Sequence, residues 1–120
     1  MTFAPPPSNR PLVAVASSTG KTVDMHLGHV REFRIYGRDQ GMVGLLGTRP
    51  APTPGGGNIR WEGVAEVLSD CAYLLVASVG PKPLEILAAQ GLTVIEAEGF
   101  VLSLVRQLYG SADFAPENHS

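Results

Sequence analysis

The chain has a single cysteine, Cys71, among its 120 residues. One thiol excludes an internal disulfide. It also excludes the cysteine-only cage that holds a permanent iron–sulfur cluster or a structural zinc, so any metal cluster must be met by few protein ligands. Basic residues are scarce as well. Nine Lys and Arg stand against 11 Asp and Glu, for a net charge of -2, and the basic surface on which binding to nucleic acid or anionic membranes rests is missing. No apolar run approaches the roughly 18 residues that cross a bilayer. The opening Met1-Thr2-Phe3-Ala4-Pro5-Pro6-Pro7 lacks the basic start and apolar middle of a secretory leader. These absences point to a cytoplasmic protein with no nucleic-acid partner and no membrane partner.

What is present is enough for one hydrophobic core: 44% of the side chains are apolar, in a chain too short for two ordinary domains. Residues 1–10, with three consecutive prolines, are expected to form a disordered arm, and the polar stretch 111–120 a disordered tail. Residues 11–110 then form the domain. Leu12-Val13-Ala14-Val15-Ala16 is the continuous apolar run of a strand buried on both faces. Glu32 to Gly37 and Met42 to Leu46 read as a hairpin with a loop of about four residues at Arg38 to Gly41. The Pro- and Gly-rich stretch from Arg49 to Asn58 reads as a mobile loop. Trp61, Val64, Ala65 and Leu68 then fall on one helical face, and Tyr73 to Ala77 is a second buried strand. A short helix is expected from Pro83 to Gly91, a fifth strand from Thr93 to Ala97, and a last helical face through Val101, Leu104, Val105 and Leu108. The order β-β-β-α-β-α-β-α predicts an α/β fold with a mixed five-stranded sheet and about three helices.

The densest polar cluster is Lys21-Thr22-Val23-Asp24-Met25-His26-Leu27-Gly28-His29-Val30-Arg31-Glu32. Imidazole suits iron, zinc and copper, so His26 and His29 are candidate ligands, with Lys21 and Arg31 able to offset the negative charge of a cluster. The plainer alternative is that the two histidines cap or hydrogen-bond a loop. Gly20-Lys21-Thr22 resembles the end of a phosphate-binding loop, but the required first glycine falls on Val15, inside a strand. A two-metal nuclease is equally disfavoured, because the first strand contains no acid. Cys71 could be a soft thiolate ligand or a small packed hydrophobe. Lys82 lies in a glycine-containing segment that opens a helix, where backbone donors and an ammonium can meet an anion.

Four segments together resemble a known family. They are Val13 to Ser17; His26-Leu27-Gly28-His29 followed by Glu32-Phe33-Arg34-Ile35-Tyr36; Leu68-Ser69-Asp70-Cys71 before Leu74 to Ala77; and Gly91-Leu92-Thr93-Val94-Ile95-Glu96. From about Val13 to Tyr109 the chain resembles the dinitrogenase iron–molybdenum cofactor-binding domains of the NifX, NafY and NifB carboxy-terminal type. That resemblance implies a ribonuclease H-like topology without nuclease chemistry. It further implies a non-enzymatic domain that binds and carries the iron–molybdenum cofactor, or its iron–sulfur precursor, among nitrogenase cofactor-assembly proteins or apo-dinitrogenase. The family's cofactor-associated histidine maps onto His26, with His29 as a second participant. Several NifB-type members have a further cysteine after the fourth strand, where this chain has Pro81-Lys82-Pro83. A reading from another class is a metal-free regulatory or docking domain for the same assembly proteins.

Overall fold

The computed structural model describes residues 3–53 and 57–110. Five strands and three helices alternate along the chain: β1 (Leu12–Val15), β2 (Glu32–Asp39), β3 (Met42–Pro50), α1 (Asn58–Val67), β4 (Cys71–Val76), α2 (Pro81–Ala89), β5 (Thr93–Glu96) and α3 (Val101–Tyr109). The strands form one sheet in the order β3-β2-β1-β4-β5. Strand β2 runs antiparallel to both of its neighbours, whereas β1, β4 and β5 pair in parallel. The domain is therefore α/β with a mixed five-stranded sheet and three helices, as expected.

Both faces of the central strands are covered, which is why their sequences are apolar without alternation. Ala14, Phe33, Ile35, Leu74 and Val76 pack under α1 and α2 with Val64, Leu68 and Leu87. Val13, Val15, Tyr36, Tyr73 and Leu75 pack on the other face against Val101, Val105 and Leu108 of α3. Each fully buried Leu, Val or Phe adds about 1.5–3 kcal/mol relative to an exposed one, so these two layers dominate stability.

Several boundaries differ from the sequence reading, each for a local reason. The hairpin turn is two residues, not four: Gln40 and Gly41 both have positive φ, 54° and 82°, the pairing that matches strand twist in a tight hairpin. Arg38 and Asp39 thereby join β2. Strand β3 continues through Arg49 and Pro50, and a proline at the end of an edge strand forfeits no ladder bond. The expected mobile loop is shorter at both ends, because α1 begins at Asn58 rather than Trp61. Pro54 to Gly56 lie outside the described residues. Helix α2 starts at Pro81, two residues early, since proline suits the first helical positions. Among the described residues before Leu12 there is no regular element, yet Arg10 donates to the carbonyls of Cys71 (2.8 Å) and Gln90 (2.7 Å). The Phe3 ring meets Tyr73 edge-on at 5.8 Å. The tail 111–120 lies outside the described residues.

Candidate functional site

Because β1 and β4 are parallel, the connections that leave their carboxyl ends meet at one end of the sheet, the place where open α/β sheets form crevices. The long β1–β2 connection is knitted into that end. The Ser17 hydroxyl donates to the carbonyl of Thr22 (2.6 Å) and accepts from the amide of Gly20 (2.8 Å). The hydroxyl and amide of Ser18 donate to Asp24, and these bonds hold its carboxyl below the ordinary carboxylate value. Farther on, Ala77 N–H donates to Met25 (2.9 Å), Leu27 N–H to Ser78 (3.0 Å) and Val101 N–H to Lys21 (2.8 Å). The connections after β1, β4 and β5 are thus bonded to one another.

Within this frame Leu27–His29 forms one turn of 3-10 helix that periodicity could not reveal. His26 caps it, with the Gly28 amide donating to His26 Nδ1 at 2.8 Å. An Nδ1 that accepts places the proton of the neutral ring on Nε2. The imidazole lies so close over Gly28 that a Cβ there would sit 3.1 Å from Nδ1, so a side chain at this position crowds the ring. The rings of His26 and His29 are 5.3 Å apart, tilted by 41°. A sequence-distant side chain closes the turn from outside: Arg60, in the first turn of α1, donates from Nη2 to the Gly28 carbonyl at 2.8 Å.

Strand β2 runs antiparallel to β1, so its first residues lie beside the end of β1, with Arg34 paired to Val15. Between them is a hollow of about 260 Å³ lined by Ser17, Ser18, Met25, His29, Val30, Arg31, Glu32 and Arg34. It offers one imidazole, one thioether and two guanidinium groups. Among the described residues the ion pair within 4.0 Å is Arg49–Asp70, so neither Arg31 nor Arg34 is neutralised by a neighbouring carboxylate there. Glu32 is the one acid in the lining. A second hollow, of about 240 Å³, lies under α3, but Gln107 is its sole polar side chain among Phe3, Leu75, Ile95, Ala97, Leu104 and Leu108. It offers a metal cluster nothing to bind.

The candidate residues therefore separate. His29 and Arg31 line the hollow, while His26 stands beside it as the cap of the turn. Lys21 and Lys82 are exposed at the same end of the sheet, outside the lining. Arg34 and Arg60 were not singled out from sequence. The signal for Arg34 was a charge between the apolar Phe33 and Ile35; for Arg60 there was none, since its partner is 32 residues away. Cys71 requires a correction. It opens β4 opposite Leu12, whereas His26 bridges to Ser78 beyond the far end of that strand. Seven residues of extended chain put about 23 Å between them. Its side chain is 0% exposed, and burial, followed by the nearby Asp70 carboxylate, pushes the thiol up to about 12. A neutral, enclosed thiol at the opposite end cannot share a cluster with the histidines. Among the described residues no three His, Cys, Asp or Glu side chains converge on a common metal position.

Comparison with known proteins bears on these findings. Residues 9–110 match the family model described as dinitrogenase iron-molybdenum cofactor. A protein of Chlorobaculum tepidum named FeMo cofactor biosynthesis protein NifB is 42% identical over 98 residues, covering 80% of this chain and 23% of that protein. The protein of the same name from Frankia alni is 30% identical over 109 residues, covering 85% and 21%. The chain thus spans less than a quarter of the length of these relatives. Among solved structures, that of PH0822 superposes with a TM-score of 0.63 at 17% identity, covering 83% of this chain and 91% of that one, a likeness of fold. With most of its length matched by the family model, this chain belongs to the dinitrogenase iron-molybdenum cofactor family.

Proposed function

We propose that the domain holds the iron–molybdenum cofactor, or an iron–sulfur precursor of it, as cargo at the end of the sheet where the His26–His29 turn meets the His29–Arg31–Arg34 hollow. The observation that carries the reading is the hollow itself, which joins an imidazole and a thioether to two guanidinium groups that, among the described residues, form no ion pair, with Glu32 the one acid in the lining. A cluster with bridging sulfides is anionic and soft. The imidazole and thioether are suitable iron ligands, and the guanidinium forks donate hydrogen bonds to sulfide or carboxylate edges. Few ligands on an open surface favour release, which a carrier needs and a permanent four-thiolate site opposes.

On this reading the domain is not an enzyme. We read the strand order β3-β2-β1-β4-β5 as ribonuclease H-like, and β1, Leu-Val-Ala-Val, carries none of the acids of a nuclease. The relatives are named for cofactor biosynthesis, which supports a reading with nitrogenase cofactor-assembly proteins or apo-dinitrogenase as its donors and acceptors. A cytoplasmic setting agrees with this, and among the described residues no helix is long and apolar enough to cross a membrane. The test is anaerobic titration of the purified chain with isolated cofactor and with its precursor, followed by absorption and paramagnetic resonance. His29→Ala and Arg34→Ala are each expected to weaken binding by about tenfold or more with little change in melting temperature. Binding that survives in the His26→Ala, His29→Ala double variant moves the site elsewhere. Absence of binding in the unaltered chain favours the metal-free docking domain.

A further inference from the structure

We infer that Arg60 is a positioning residue for the cargo site: through Gly28 it locks the His26–His29 turn and the tautomer of the His26 ring. This inference rests on the carrier reading for its purpose, although not for its geometry. Gly28 is held at both ends. Its N–H is engaged by His26 Nδ1 and its carbonyl by Arg60 Nη2, each at 2.8 Å. Imidazole, turn and helix α1 are therefore linked through one residue. The Arg60 guanidinium is itself fixed by stacking on the Trp61 ring, 4.6 Å from its centroid.

The rest of Arg60's surroundings argue against a role in stability. It lies in the first turn of α1, where the helix dipole favours acids and disfavours a cation, and that turn contains no acid. Its Nε is buried with no hydrogen-bond partner, an arrangement that costs stability. An aliphatic side chain would pack there without either cost. What an aliphatic side chain cannot supply is the hydrogen bond to Gly28. Without it Gly28 is held through its N–H alone, and a Gly28 amide that drifts from Nδ1 lets the His26 ring exchange its Nε2–H form for the Nδ1–H form, which changes which ring nitrogen has a free lone pair.

The experiment uses the full chain, labelled with ¹⁵N, and reads the histidine ring nitrogens by long-range proton–nitrogen correlation at a pH above the ordinary histidine range. His26→Gln assigns the signals. The unaltered chain is expected to show His26 in the Nε2–H form. Arg60→Met is expected to give a mixed tautomer signal, an unchanged or raised melting temperature and about tenfold weaker cofactor binding, while Arg60→Lys restores the signal because its ammonium can reach the same carbonyl. Arg60→Ala takes the place of Arg60→Met if the latter fails to fold. An unshifted His26 signal in the neutral variant overturns the inference, as does a loss of stability that accounts for the whole loss of binding. If the unaltered chain binds no cofactor, the carrier reading falls, while the ring signal still decides whether Arg60 holds the turn.

Discussion

Replacing Cys71 separates packing from ligation. The side chain is fully buried among Leu68, Leu74 and Leu92 in the layer under α1 and α2. Cys71→Ala removes one sulfur, comparable to deleting one buried methylene, and costs about 1 kcal/mol. Cys71→Ser keeps the volume but buries a hydroxyl. The acceptor that the sulfur meets, Asp70 Oδ1, is 3.6 Å away, already engaged by Arg49, and farther from the shorter serine side chain. An unsatisfied hydroxyl costs about 1–3 kcal/mol, which lowers the melting temperature of a domain this size by roughly 4–20 °C. The pH dependence is a second signature. The folded thiol is raised to about 12, against about 8.5 when unfolded. Its contribution is therefore complete below pH 8.5 and is lost as pH rises from there toward 12, by up to about 1.4 kcal/mol per pH unit. Burial also raises Tyr36 and Tyr73, so the comparison belongs between pH 8.5 and 10. Calorimetric melts across that range are expected to fall more steeply for the unaltered chain than for Cys71→Ala, with equal cofactor binding in both. A Cys71→Ser chain that melts like the unaltered one but fails to bind cofactor would refute the reasoning and return the thiol to the ligand list.

At the same end of the sheet, Arg49 makes a bidentate pair with Asp70 at 2.7 and 2.9 Å and also donates to the Val67 carbonyl. Asp70→Asn is expected to cost about 1 kcal/mol at neutral pH, a modest figure because both side chains are partly exposed. The Arg49 hydrogen bonds lower the Asp70 pKa, so this contribution is present above the unfolded value near 3.9 and fades as pH falls through the lowered folded one; melts at pH 7 and pH 2.5 check it. Gly28→Ala should displace the His26 ring and weaken cofactor binding several-fold, with a stability loss no larger than that of a lost helix cap, about 0.5–2 kcal/mol; equal binding would show that the turn's geometry is irrelevant. The purified chain should hydrolyse no nucleoside triphosphate, and a hydrolysis abolished by Lys21→Ala would overturn the reading of Gly20-Lys21-Thr22 as a plain turn.

The secondary elements were legible where burial on both faces, or a helical face, wrote itself into consecutive residues, as in Leu12 to Val15 and Val101 to Leu108. They were less legible where glycine interrupts a strand. Gly47, together with the Pro-rich run that begins at Arg49, hid the length of β3, which its pairing with β2 defines. The polar connection containing His26, His29 and Arg31 was recognisable as the candidate site because no other segment concentrates such groups. Its internal arrangement was not. A single 3-10 turn has no period to detect, and the distances that exclude Cys71 and include Arg34 depend on which strands are neighbours and in which direction they run.

The three connections that meet at the candidate site belong to strands brought together only when the whole sheet closes, since β1 and β4 pair across about sixty residues of chain. The residues that line the hollow all fall between Ser17 and Arg34, but the bonds that hold their connection in place come from segments after β4 and β5. Any cargo held there discriminates between the folded chain and everything else, so loading is also a contribution to folding: at a free concentration a hundred times the dissociation constant it adds about 2.7 kcal/mol. On the carrier reading, a domain of this size, marginal on its own, would become more resistant to unfolding and proteolysis when loaded and return to its intrinsic stability once the cargo has left.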